Sequence, residues 1–163
     1  MPVSRGEDPN LDHLMLLMQH DQLSAVIVGH LIIESLLVKF LEMQQEKTNI
    51  DRILGFKFPM KVDRCVAGGL IRSELGEFLK VLNRQRNNFA HRLGHRISFE
   101  EAFALVHEAA IAGIDFSDEE IHTSEAASRD HYGAELIIVE IFSNVAQEIG
   151  FALMDRGLEY PFS

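Results

Sequence analysis

The residues best suited to chemistry lie together in the segment Arg86-Asn87-Asn88-Phe89-Ala90-His91. A histidine with a pKa near neutrality can accept or donate a proton, and the fork of donors on an arginine binds a phosphate group. The amide of Asn87, one helical turn before His91, can orient the imidazole or bind phosphate. Cleavage of RNA without metal requires these residue types: a base for the 2′-hydroxyl, an acid for the 5′-oxygen and positive charge beside the phosphorane.

A helix predicted from about Ser73 to Leu93 places these residues on different faces. At 100° per residue, Arg86 falls in the middle of an apolar stripe, whereas His91 shares the opposite face with Arg84 and Asn87. Arg86 and His91 therefore meet only if the helix unwinds between them or if a second subunit brings them together. Alternatively, Arg86 pairs with a core carboxylate and His91 is a surface residue. The stripe consists of Leu75, Phe78, Leu79, Leu82, Phe89, Ala90 and Leu93.

A second helix, predicted over Gln22–Gln45, carries two polar residues among apolar ones. His30 and Glu34 lie one turn apart on one face. They can form a buried hydrogen-bonded pair. A second possibility is that Glu34 pairs with Arg86 and orients it in a cleft. As a third, the His-x3-Glu spacing can supply two metal ligands, although no third ligand is evident.

Neither a metal nor a cofactor is expected elsewhere. His91-x3-His95 also has the spacing of a metal site, but Gly94 is predicted to end the helix between them. Gly68-Gly69 lacks the lysine and the spacing of a phosphate-binding loop. Cys65 has no basic cluster near it in sequence, so it is expected to be a core residue.

The motif segment resembles a known family. Arg86 to His91 matches the R-x4-6-H motif of the HEPN (higher eukaryote and prokaryote nucleotide-binding) superfamily, with a polar residue after the arginine and small or aromatic residues before the histidine. A long apolar helix with His30 and Glu34 precedes it, and a hydrophobic helix closes the chain. This order resembles HEPN domains over roughly residues 20–155, and there is a looser resemblance to the mannitol operon repressor group.

The resemblance implies a metal-independent endoribonuclease, a toxin or defence effector that acts as a homodimer on an RNA substrate. Its composite site would use Arg86, His91 and Asn87 for catalysis, with Glu34 and His30 in support. Products would carry a 2′,3′-cyclic phosphate and a 5′-hydroxyl. Some HEPN proteins are non-catalytic, so the alternative is a regulatory or interaction module that binds a protein or nucleotide. An antitoxin or regulatory protein is a possible partner in either case.

The distribution of charge restricts where RNA could bind. A net charge of −10 argues against general binding to nucleic acid. Between Phe78 and Phe99, however, the sequence has no acid and holds five of the 15 basic residues. This basic seam fits RNA admitted at one place, with Arg84, Arg92 and Arg96 as RNA-binding residues, and it fits equally well an acidic partner. The seam contains Lys80, Arg84, Arg86, Arg92 and Arg96, with His91 and His95.

The remaining pattern predicts an all-α, HEPN-like fold, a four- to six-helix bundle of mainly antiparallel helices. The capping box Ser98-Phe99-Glu100-Glu101 starts a helix that runs to about Ala112. Ile114 to Arg129 is expected to be a surface loop with at most a short helix. The other predicted helices begin near Leu11, cover Asn49–Leu54 and Met60–Ala67, and close the chain over Asp130–Met154.

Length and composition indicate one soluble domain over residues 1–163, of which 1–9 are expected to form a flexible arm. No apolar run reaches the ~18–20 residues of a membrane span, and no signal-peptide pattern is seen. Cys65 is the only cysteine, which favours the reducing cytoplasm. Leu136 to Phe142 is apolar nearly all round, which predicts burial on two sides, one of them by a second subunit.

Overall fold

The computed structural model describes residues 22–44 and 50–162, and their regular structure is entirely helical. The predicted all-α bundle is confirmed, with eight helices in the described ranges instead of four to six. The helix predicted from Leu11 and the arm at residues 1–9 lie outside these ranges. The helices are α1 (Gln22–Gln44), α2 (Ile50–Leu54), α3 (Phe58–Ala67), α4 (Ser73–His91), α5 (Phe99–Ile111), α6 (Glu120–Thr123), α7 (Glu125–His131) and α8 (Gly133–Met154).

The centre of the core is the contact between α1 and α8. A glycine allows their close approach, because a Cβ at Gly29 would lie 2.6 Å from the ring of Phe142. The other sides of α1 meet α3 and α4, and α8 also packs on α5. Within one chain, α8 therefore packs on both α1 and α5, which buries most of Leu136–Phe142 but leaves Leu136 exposed. The second subunit inferred from this segment stays a prediction.

Two helices of the described ranges, α1 and α8, are long and apolar enough to cross a membrane by length and composition. The prediction concerned uninterrupted apolar runs, and α1 is interrupted by His30, Glu34, Ser35 and Lys39. Its mean hydropathy nevertheless stays high enough to meet this looser criterion. More than half of each span, 56% and 61%, is buried inside the fold. Their position at the centre of the core accounts for their composition.

The motif helix α4 is buried along the predicted stripe only as far as Phe89. It ends at His91, two residues before the predicted end, and the chain then turns at Gly94, whose φ of +76° suits glycine. Ala90 is exposed, and Leu93 is fully exposed at 108%. Both were predicted to be in the stripe, but burial of the stripe ends at Phe89.

The start of α5 is confirmed as predicted. The Glu101 N–H donates to Ser98 Oγ at 3.1 Å, and the Ser98 N–H donates to Glu101 Oε2 at 2.8 Å. This reciprocal capping box satisfies two N–H groups that the helix itself leaves without partners. It fixes the point at which the chain leaves the loop after α4 and enters α5.

The segment from Ile114 to Arg129 is not the predicted surface loop. It contains α6 and the start of α7, and it buries Ile114, Phe116 and Ile121 in the core. The fully buried Ser128 donates a hydrogen bond to the Ile121 carbonyl at 2.8 Å. The prediction failed because these apolar anchors are irregularly spaced among acidic residues, so no helical period is visible.

Candidate functional site

A cleft of about 410 Å³ opens between α1, the start of α3 and the middle of α4. This volume falls within the range of small-molecule sites. Four of the five residues predicted for catalysis or its support line the cleft, and His91 is the one that does not. The lining residues are His30, Glu34, Phe56, Lys57, Phe58, Pro59, Asn83, Arg86 and Asn87.

Arg86 is half-buried in this cleft. Its Nη1 donates to Asn87 Oδ1 at 3.2 Å. Among the described residues it forms no ion pair with a carboxylate. A half-buried guanidinium with most of its donors free can bind an anion that enters the cleft.

Glu34 does not pair with Arg86, and that prediction was wrong. The Lys61 Nζ of α3 donates to Glu34 Oε1 at 2.6 Å, with the two side chains 3% and 26% exposed. Sequence reasoning overlooked Lys61, although the spacing carried a signal, because Lys61 falls on the same face of α3 as Phe58 and Cys65. The ion pair neutralises Lys61, so Arg86 and Lys57 are the lining residues whose positive charge has no carboxylate partner among the described residues.

His30 is 4% exposed and has Asn83 as its hydrogen-bond partner, not Glu34. Its Nε2 lies 3.0 Å from Asn83 Oδ1, so Nε2–H donates to this oxygen, and its ring centroid lies 4.2 Å from that of Phe58. Nδ1 is buried without a hydrogen-bond partner in the described part of the chain. Burial lowers the pKa of His30, and Arg86 lowers it further, against the opposing effect of Glu34. His30 is therefore a neutral imidazole at pH 7.

His91 is the last residue of α4 and is exposed. Because α4 is helical without interruption from Ser73 to His91, the predicted alternative of local unwinding was wrong. Five residues of regular helix separate Arg86 and His91 by about 140° around the axis and ~7.5 Å along it. The structure therefore brings Asn87 to Arg86, but one chain does not bring Arg86 and His91 together.

The predicted basic seam is divided among three surroundings. Lys80 pairs with Asp63 at 2.7 Å and with Glu77 at 2.9 Å, so carboxylates from outside the seam neutralise it. Exposed Arg84 borders a depression that also contains Glu74, Glu77 and Glu108. Arg84 forms no ion pair among the described residues, but the acidic residues around this depression would repel RNA, which weakens the assignment of Arg84 to RNA binding.

The basic loop, residues 92–96, follows α4. Arg92 and Arg96 are exposed, and the ring of His95 packs edge-on against Phe89 with centroids 4.7 Å apart. Together with the start of α1, the loop borders a depression of about 200 Å³. Two of the three predicted RNA-binding residues therefore share one exposed surface.

Cys65 is a core residue, as predicted. It is fully buried, its Sγ lies 3.7 Å from the Leu37 carbonyl oxygen, and burial raises its pKa to about 12. Within residues 22–44 and 50–162, no group of three or more His, Cys, Asp or Glu side chains is placed to hold a metal ion.

Comparison of the chain with protein-family models, with curated proteins and with solved structures found no match. The function of the cleft must accordingly follow from its own residues and their surroundings.

Proposed function

We propose that the protein is a metal-independent endoribonuclease, with Arg86 of one copy and His91 of a second copy forming the site. The observation that carries this proposal is the state of Arg86, which is half-buried in an open cleft and has no carboxylate partner among the described residues. A guanidinium so placed favours a phosphate group, which its parallel N–H donors can bind in two places at once. The Asn87 amide oxygen accepts a hydrogen bond from the Arg86 guanidinium and holds this guanidinium in position.

In the proposed reaction, His91 takes a proton from the 2′-hydroxyl and later gives it to the 5′-oxygen. The exposed His91 imidazole accepts the proton of the 2′-hydroxyl while the 2′-oxygen attacks phosphorus, and the phosphorus–5′-oxygen bond breaks. The imidazolium returns the proton to the departing 5′-oxygen. Arg86 stabilises the negative charge of the phosphorane between these steps. The products are a 2′,3′-cyclic phosphate and a 5′-hydroxyl.

A second copy is part of the proposal because α4 is continuous. Arg86 and His91 leave the helix in different directions, so His91 reaches an Arg86 cleft only from another copy. A two-fold symmetric homodimer provides two such sites. A cytoplasmic toxin or defence effector, restrained by an antitoxin-like protein, is the role that fits this activity.

The activity test uses matched variants. In EDTA, the wild-type protein should cleave RNA and leave 2′,3′-cyclic phosphate ends. His91→Ala should slow cleavage by roughly 10²–10⁴ without loss of stability, and Arg86→Ala should abolish it. His107→Ala and Arg52→Ala, which remove exposed residues outside the site, should cleave at the wild-type rate.

The two-copy site can be tested by mixing inactive variants. After subunit exchange, equal amounts of the Arg86→Ala and His91→Ala proteins should recover about a quarter of wild-type activity, because half of the dimers are mixed and each holds one complete site. A monomer in light scattering at micromolar concentration, or a mixture that stays inactive although exchange has occurred, would refute the composite site.

A second candidate function is that of a non-catalytic module that binds a nucleotide or an acidic protein segment. It is favoured because all the positive groups of the cleft belong to one chain. Arg86 and Lys57 line the cleft, and the N-terminus of α3 has no side-chain cap among the described residues, so its positive end adds to theirs. This function becomes the better one if the wild type leaves RNA uncut from pH 6 to 8, with and without metal. Nucleotide binding measured by calorimetry should then depend on Arg86.

A further inference from the structure

We propose that Gln22 is a positioning residue that holds the basic loop in the conformation in which Arg92 and Arg96 contact RNA. The inference rests on the proposed function, because it assigns a role to the same RNA-binding surface. Gln22 was not among the residues that the sequence pointed to. It stands at the start of α1 and is distant in sequence from the loop that it holds.

Gln22 fastens the residue that directly follows the basic loop. The Ile97 N–H donates to Gln22 Oε1 at 2.8 Å, and Gln22 Nε2 donates to the Ile97 carbonyl oxygen at 3.0 Å. Both residues are buried, with Gln22 5% exposed. Without this amide, two buried backbone groups would lose their partners, which is unfavourable enough to move the chain.

The same amide connects the loop to α8. The second hydrogen on Gln22 Nε2 donates to Glu135 Oε1 at 3.1 Å, so the oxygen and both hydrogens of the amide are used. A glutamate at this position could accept from the Ile97 N–H but could not donate to the carbonyl, and it would face the carboxylate of Glu135. Only an amide of this length satisfies all three contacts.

The basic loop is thereby held at both ends. At its start, the Arg92 N–H donates to the Asn88 carbonyl at 3.0 Å, and at its end Gln22 holds Ile97. The exposed arginines project from between these points. If Ile97 is released from Gln22, the loop no longer holds Arg92 and Arg96 in place, and both side chains must be ordered when RNA binds. Ordering each of them weakens the affinity for RNA by a factor of roughly 2–10.

The test compares Gln22→Met with Ser128→Ala. Gln22→Met removes two buried hydrogen bonds to the backbone and one to Glu135. Ser128→Ala removes one buried bond to the backbone, and Ser128 contacts Ile121, outside the basic loop. Affinity is measured by fluorescence anisotropy with a 2′-O-methylated oligoribonucleotide, which lacks the attacking hydroxyl. Both variants should be less stable than wild type, but only Gln22→Met should bind roughly 5- to 100-fold more weakly and exchange the amide hydrogens of residues 92–97 faster.

A thermodynamic cycle separates positioning from general loosening. In a protein that already carries Arg92→Ala and Arg96→Ala, Gln22→Met should cause no further loss of affinity, because it acts through those side chains. If Gln22→Met does not fold, Gln22→Asn replaces it, because its shorter amide cannot make all the bonds of Gln22 and places no charge beside Glu135.

Four outcomes would overturn the inference. Unchanged affinity in a folded Gln22 variant, or an equal loss in Ser128→Ala, would leave Gln22 with a purely structural role and the proposed function intact. A full additional loss in the double-arginine background would show that Gln22 does not act through Arg92 and Arg96. If wild-type protein fails to bind the oligoribonucleotide, the proposed ribonuclease function fails together with this inference.

Discussion

Replacing Glu34 by glutamine should destabilise the fold strongly, because within residues 22–44 and 50–162 it is the one carboxylate paired with the buried Lys61. Lys61 is 3% exposed, and its Nζ lies 2.6 Å from Glu34 Oε1. Breaking a buried ion pair by removal of one partner typically costs about 3–5 kcal/mol. For a protein of 150–250 residues, this corresponds to a fall in Tm of roughly 6–20 °C.

Replacing Lys61 instead should destabilise the fold less, because the Glu34 left behind is 26% exposed and water can solvate its carboxylate. Lys61→Met, which keeps the length of the side chain, should therefore lose about 1.5–3 kcal/mol, the value of a charged hydrogen bond. The Glu34→Gln/Lys61→Met double variant should lie within about 1 kcal/mol of wild type, since neither neutral side chain leaves a buried charge without a partner.

Urea denaturation of the four proteins gives the coupling energy directly. Glu34→Gln should be the least stable of them, and the coupling should amount to several kcal/mol. A coupling energy below about 1 kcal/mol would be that of a solvated surface pair. It would refute the conclusion that Lys61 is a buried charge held by Glu34.

Three further predictions concern the core and its titrating groups. Gly29→Ala should lose about 1–3 kcal/mol in urea denaturation, because its Cβ would lie 2.6 Å from the ring of Phe142; wild-type stability would mean that the ring moves freely. Cys65 should not react with a thiol reagent at pH 8 until the protein unfolds, since it is fully buried and its pKa is about 12, and prompt reaction of native protein would contradict this. Because burial lowers the folded-state pKa of His30 below 6.5, the unfolded chain binds this proton first as the pH falls. Stability should therefore be full above pH 6.5 and decline below it, and the His30→Gln variant should lack this part of the decline; equal slopes in the two proteins would refute it.

The long helices were predictable because their apolar residues repeat at the helical period. The interval predicted for α1, Gln22–Gln45, includes the whole of the helix seen in the described residues, Gln22–Gln44. The start of α5 was predictable for a local reason, since the capping box uses only neighbouring residues. Local patterns of this kind do not depend on which helices later become neighbours.

The incorrect predictions of burial and helix position occurred where contacts between helices determine which side chains are covered. Leu93 continues the apolar spacing of α4, but whether it is covered depends on how far the neighbouring helices extend. Irregularly spaced apolar side chains such as Phe116 anchor the segment after α5, so it folds on the core without a visible period.

The sequence predicted several residues that line the cleft, but it did not predict their ion-pair and hydrogen-bond partners. Polar residues on apolar faces identified His30, Glu34 and Arg86, and all three line the cleft. The choice of Lys61 as the partner of Glu34 depends on how α3 packs against α1, which single-helix periodicity does not contain. No spacing connects Gln22 with a loop 70 residues later, so that contact required the structure.

The position of α1 and α8 in the chain has a consequence for biosynthesis. They form the centre of the core, yet roughly ninety residues separate the end of α1 from the start of α8. At ~5–20 residues per second, the ribosome takes roughly 5–20 s to make that interval. α3 and α4 can cover part of α1 early, but its side facing α8 stays open to water and to other nascent chains. Binding of a chaperone to this side of α1 would protect the nascent chain from aggregation until α8 leaves the ribosome.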